Sequence, residues 1–180
     1  MLKLTDTAYT QSSVDQSKIE TCLDSVLSHS NLGFLQLTEK PQLWESSARL
    51  GKSILKKHQQ TVIIGFGGSA MGGRCLVELS HRQDQIFFLD NVDMIENLRI
   101  INNLKNPQTT AWVFISKSGT TIEVLSFLDF LNQHLSDKKI PFWENTYYVT
   151  EEKKSSLYDI AQEKQRPCLE IPLDVGGRFS

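Results

Sequence analysis

Five short apolar runs, separated by longer amphipathic stretches, constrain this sequence more than any other feature. They are Thr61-Val62-Ile63-Ile64, Ile86-Phe87-Phe88-Leu89, Ala111-Trp112-Val113-Phe114-Ile115, Tyr147-Tyr148-Val149 and Cys168-Leu169-Glu170-Ile171. Runs this short, with little polar alternation, are what strands covered on both faces look like. Between them the spacing predicts helices over 71–79, 93–104, 122–135 and 155–162, the alternation of a parallel sheet. The expected fold is α/β, a three-layer αβα sandwich around a five-stranded parallel sheet, Rossmann-like in plan. Two more helices are expected before the first strand. One runs from Val14 to Leu27 with Ile19, Leu23, Val26 and Leu27 at helical spacing, a peripheral helix stopped by Asn31-Leu32-Gly33. The other follows Pro41 and ends near Lys56, Lys57 and His58. Residues 1–40 are thus expected as an amino-terminal helical segment and 41–180 as the α/β domain.

A chain of 180 residues that is 39% hydrophobic can bury one substantial core. Its formal net charge of −2 creates no field that would draw nucleic acid or an anionic membrane, so neither is an expected partner. The amino terminus lacks a signal-peptide core, and no stretch approaches the roughly 20 apolar residues of a membrane span. Three widely spaced cysteines, Cys22, Cys75 and Cys168, form no Cys-x-x-Cys pair. Reduced thiols in a soluble cytoplasmic protein, with no metal centre, are expected.

Ligands of such sheets bind where the strands end at their carboxyl side, which directs attention to the residues after each run. The first run is followed by Gly65-Phe66-Gly67-Gly68-Ser69-Ala70-Met71-Gly72-Gly73. Glycines allow tight turns and close approach of a ligand to the backbone. Packing alone could also account for them. The stretch fits the dinucleotide fingerprint with alanine last, and Asp90 ends the second run near the place of a ribose-binding acid. A nicotinamide-type cofactor is therefore a competitor at this point.

The third run is followed by Ser116-Lys117-Ser118-Gly119-Thr120-Thr121, a second anion-binding loop that a dinucleotide would not require. Four hydroxyls, an ammonium and successive backbone N–H groups at a helix amino terminus suit a phosphate monoester. The loop lacks the frame of a nucleoside triphosphate site and any magnesium ligand set, so the expected binding uses no cofactor and no metal. Thr120 and Glu123 also fit a capping box, which would explain two of the residues.

The sequence closes on Asp174-Val175-Gly176-Gly177-Arg178-Phe179-Ser180. A guanidinium carried by flexible glycines can stabilise an oxyanion developing on a bound sugar, although Gly-Gly-Arg taken by itself reads better as a frayed tail. The histidines His29, His58, His81 and His134 lie outside these loops and read as surface or helix-end residues.

GFGGSAMGG, SKSGTT and DVGGRFS, in this order and spacing, resemble the glucose-6-phosphate isomerase family, from about Leu32 to the end and most strongly in the three loops. SKSGTT alone would indicate the wider sugar isomerase (SIS) domain superfamily, with its phosphosugar isomerases and sugar-phosphate sensors. The resemblance implies interconversion of glucose 6-phosphate and fructose 6-phosphate, in glycolysis and gluconeogenesis, through an enediolate. It implies that Ser116, Lys117, Ser118 and Thr121 hold the phosphate through side chains and backbone amides. Gly68 and Ser69 would line the sugar, Arg178 would stabilise the enediolate, and Gly177 would keep its approach open. Phe66 stands where the family often carries isoleucine, at a residue pointing away from the ligand.

The family's chains are longer, hold two such domains and act as homodimers. Their glutamate base, histidine and lysine have no counterpart among these residues. The expectation is a SIS domain that binds sugar phosphate with little turnover. A non-catalytic sugar-phosphate sensor is the main alternative, and a dinucleotide-binding oxidoreductase domain the weaker one.

Overall fold

The computed structural model describes residues 15–28, 33–152 and 155–176. The apolar runs form strands β1 (Gln60–Ile64), β2 (Ile86–Leu89), β3 (Thr110–Ile115), β4 (Thr146–Thr150) and β5 (Cys168–Glu170). All neighbours are parallel, in the order β2-β1-β3-β4-β5. Among the described residues six α-helices accompany them: α1 (Gln16–Leu27), α2 (Pro41–Lys57), α3 (Gly68–Glu78), α4 (Met94–Asn102), α5 (Ile122–Asp137) and α6 (Ser156–Glu163). The α/β sandwich with a five-stranded parallel sheet is the fold the sequence predicts.

Local chemistry sets the helix boundaries. Pro41 opens α2 at its first position, and Lys56 and Lys57 close it against the negative end of the helix dipole. The Asp93 carboxylate accepts the amides of Ile95 and Glu96 to start α4, and Ser155 accepts the amide of Tyr158 to start α6.

Side chains of β3 divide the core by their period of two. Trp112 and Phe114 join Val62, Ile64, Leu89 and Tyr148 on one face, where α5 adds Val124, Phe127, Leu128, Leu131 and Leu135. Ile101 of α4 and Leu157 and Ala161 of α6 complete that side. Ala111, Val113 and Tyr147 point to the opposite face against Ile54 of α2. There α3 brings Gly73 over Phe88. Burying side chains of this size contributes about 1.5–3 kcal/mol each, so the β3 residues are a main source of stability.

The stripe of α1 stays outside this core. Ile19, Leu23, Val26 and Leu27 are all exposed and no residue of the helix is buried, which makes it peripheral, as expected. Asn31 and Leu32 lie outside the described residues.

In this strand order the chain runs from β1 to one side and continues from β3 on the other. The switch point of the sheet, the place of the ligand crevice in doubly wound folds, therefore lies between the carboxyl ends of β1 and β3.

Candidate functional site

The two loops singled out in the sequence leave β1 and β3, and so flank that crevice. Gly65 shows how closely they approach: a methyl group there would lie 3.2 Å from Ser69 Cβ and 3.3 Å from the carbonyl oxygen of Ile115. A side chain there would press the neighbours apart by a few tenths of an ångström, which marks how closely β1, the first turn of α3 and the end of β3 converge. Gly67 caps α3 at φ 59°, a conformation glycine adopts freely. Gly68 and Ser69 then form the first turn, where the dipole favours an anion. Phe66 turns into the core, its ring centroid 6.0 Å from that of Phe127.

Ser116 is 3% exposed and organises the second loop from within. Its Oγ accepts the Gly119 amide at 3.1 Å and lies 2.7 Å from Thr121 Oγ1. Gly119 has φ 65°, and a methyl group there would collide with Ser155 Oγ. The Gly119 carbonyl accepts the Leu157 amide at 2.9 Å, which fixes the turn to the start of α6. Ser118 is exposed, and its Oγ accepts the Thr120 amide and hydroxyl at 3.3 and 3.2 Å. Among the described residues the Lys117 and Ser118 amides have no protein acceptor, so two adjacent donors remain open to an anion.

The capping box of Thr120 and Glu123 does not form. Thr121 is the cap of α5 and makes no side-chain capping bond, because its hydroxyl is engaged by Ser116. Glu123 is thereby placed one residue early for the motif, in the acidic first turn.

Lys117 does not end in solvent. Its Nζ lies 2.9 Å from Glu151 Oε1 and donates to the Leu173 carbonyl at 3.3 Å. Glu151 was not singled out in the sequence, where its only signal is its place as the first residue after β4. Ser155 and Gly33 were missed for the same reason: their roles are contacts with distant segments. Gly177 and Arg178 lie outside the described residues. The turn ahead of them is held, with the Gly33 amide donating to the Asp174 carbonyl at 2.9 Å and Lys40 Nζ 3.1 Å from the Asp174 carboxylate.

Asp90 already has a partner within the chain, since one oxygen of its carboxylate pairs with Arg74 at 2.5 Å. That pairing gives the second feature behind the dinucleotide reading a structural role of its own. His58 is the helix-end residue expected, but it is buried: Nδ1 lies 3.0 Å from the Thr109 carbonyl and Nε2 2.8 Å from the Tyr147 hydroxyl. Burial holds its pKa below the ordinary 6.5, with Lys57 and Arg166 acting in the same direction against the Thr109 hydrogen bond. His81 is exposed, His134 stacks on Phe130, and His29 lies outside the described residues. Burial pushes the Cys168 thiol up to about 11, aided by Glu152 and Glu170, so it is a poor nucleophile. Among the described residues no cluster of His, Cys, Asp and Glu could hold a metal ion, and no helix is long and apolar enough to cross a membrane.

No family model matches the chain. The glucose-6-phosphate isomerase of Mycoplasmopsis synoviae is 31% identical over 160 residues, covering 83% of this chain and 37% of the relative. A hypothetical protein from Thermus thermophilus superimposes with a TM-score of 0.75 at 29% identity, over 93% of this chain and 42% of that one. A glucose-6-phosphate isomerase from Chlamydia trachomatis gives 0.64 at 27% identity, over 76% and 27%. The chain spans little more than a third of the Mycoplasmopsis relative's length. With the loops, the fold and these similarities in agreement, the chain belongs, over the matched residues, to the glucose-6-phosphate isomerase family as one of its sugar isomerase (SIS) domains.

Proposed function

We propose that this domain binds the phosphate and sugar of glucose 6-phosphate or fructose 6-phosphate in the crevice between the β1 and β3 turns. The observation that carries the reading is the pair of open amides at Lys117 and Ser118, beside the Thr121 hydroxyl and the amino terminus of the 16-residue helix α5. Donors arranged this way hold a phosphate dianion without a metal or cofactor. In this reading Ser118 and Thr121 donate hydroxyls, Lys117 contributes its amide, and Ser116 keeps the turn in shape while lending its own hydroxyl. Gly68 and Ser69 face the sugar from the opposite turn. Arg178 would supply the charge that an enediolate needs, with Gly177 leaving room for it.

Turnover is a separate matter. Three carboxylates around the loops are engaged: Glu151 by Lys117, Asp90 by Arg74 and Asp174 by Lys40. A carboxylate held by a cation is a weakened base, and general acid–base catalysis supplies roughly 10²–10⁴ of rate. The domain alone therefore binds sugar phosphate and isomerises it slowly or not at all. Within a longer, homodimeric protein it would serve aldose–ketose isomerisation in the cytoplasm, a compartment in keeping with its three free cysteines.

Calorimetric titration with glucose 6-phosphate, fructose 6-phosphate and NAD tests the reading. Saturable heats with both hexose phosphates and none with NAD are expected. Binding of NAD alone would overturn it, and isomerase turnover at an ordinary enzymatic rate would overturn the inactivity.

A further inference from the structure

Lys117 sits inside the phosphate-binding sequence, yet its ammonium serves other partners. Nζ lies 2.9 Å from Glu151 Oε1 and donates to the Leu173 carbonyl at 3.3 Å. Glu151 is the first residue beyond β4, and Leu173 lies in the turn beyond β5, closed by the Val175 amide on the Pro172 carbonyl at 3.1 Å. The backbone repeats the tie, since the Glu151 amide and the Thr150 hydroxyl both donate to the Lys117 carbonyl, at 3.1 and 3.3 Å.

The side chains of Lys117 and Glu151 are only 22% and 7% exposed. An ion pair this far from water has fixed geometry, and its ammonium is already neutralised before any phosphate arrives. On the far side of the same turn, Asp174 is held by Gly33 and Lys40. Arg178 follows Val175 by three residues in sequence. Whatever fixes the Pro172–Val175 turn therefore fixes the point from which the arginine segment departs.

We propose that Lys117 is a positioning residue: through Glu151 and Leu173 it latches the phosphate-binding turn to the Pro172–Val175 turn, rather than neutralising the phosphate itself. The inference rests on the sugar-phosphate reading above. Its consequence is selectivity for hexose phosphate over bare phosphate, because the latch fixes, relative to the phosphate grip, the point at Gly176 from which the chain runs on toward Arg178.

The test uses the whole chain as wild type, Lys117→Met with Glu151→Gln, and Lys117→Arg. Changing both residues removes the Lys117–Glu151 ion pair as a unit rather than one side of it. Each protein is titrated by NMR with glucose 6-phosphate and with methyl phosphate, which presents the same dianion without a hexose. The double variant is expected to lose about tenfold more affinity for glucose 6-phosphate than for methyl phosphate, a difference near one decade of binding constant. Lys117→Arg should restore most of that preference. Equal weakening toward both ligands, or no weakening, would overturn the proposal.

Hydrogen exchange without ligand separates the latch from the binding reading. In the double variant the Val175 and Gly33 amides should exchange faster while the Gly119 amide does not. Uniform acceleration, or none, would overturn the latch. Should the wild type bind neither phosphate, the sugar-phosphate reading fails and the exchange result decides the latch.

Discussion

Ser116 Oγ and Thr121 Oγ1 lie 2.7 Å apart, a hydrogen bond that closes the β3–α5 turn between the residue after the strand and the helix cap. It removes Thr121 from the capping role its position would give it, and leaves both hydroxyls on one short arc. A phosphate oxygen entering that arc can take either hydrogen, so the bond both shapes the turn and reserves its donors.

Thr121→Val preserves the shape of the side chain and deletes the hydroxyl. A hydrogen bond to a charged group is worth about 1.5–3 kcal/mol, so the affinity for glucose 6-phosphate should fall about tenfold or more. Calorimetry measures this directly. An unchanged dissociation constant would show that the phosphate does not reach Thr121.

Gly119→Ala is expected to destabilise the fold by more than an ordinary surface substitution. Its φ of 65° costs a residue with Cβ about 1–3 kcal/mol, and the new methyl group meets Ser155 Oγ. Urea unfolding should show the loss. Adding Ser155→Gly removes the contact with Ser155 but leaves Thr150 Oγ1 at 2.9 Å and the backbone strain, and it deletes the α6 cap, so it should recover only part of the stability.

His58 makes stability depend on pH. The Thr109 carbonyl can only accept, so Nδ1 carries the hydrogen and Nε2 accepts from the Tyr147 hydroxyl. With the folded pKa below the ordinary 6.5, the unfolded chain takes up a proton first as pH falls. The contribution is complete above pH 6.5 and is lost as pH drops from there toward the folded value. Denaturant melts between about pH 7.5 and 5.5 should show this slope, and His58→Gln should flatten it.

The three thiols should separate in alkylation. Cys22 and Cys75 are exposed, whereas Cys168 is half-buried with its pKa pushed up to about 11. At about pH 8 its thiolate fraction is roughly a hundredfold or more below that of an ordinary cysteine, whose pKa is about 8.5, so modification by iodoacetamide should reach it last. Mass spectrometry of peptides over time gives the order. Early labelling of Cys168 would contradict the burial.

The five strands, the helices between them and the glycine and hydroxyl loops were legible along the chain, because each is a local pattern: buried parallel strands are short apolar runs, and anion-binding turns concentrate glycine and hydroxyls. Trp112 and Phe114 announce β3 by residue type alone. Which strands are neighbours was not written there. The order β2-β1-β3-β4-β5, which puts Gly65 against the Ile115 carbonyl and makes one crevice of two loops, arises from packing helices on both faces of a twisted sheet. The same holds for Lys117. Its type suggested a phosphate ligand, but its partners Glu151 and Leu173 stand 34 and 56 positions away in the chain. A charge's effect depends on what lies within a few ångströms of it, and that distance is set by the fold rather than by the neighbouring residues in sequence.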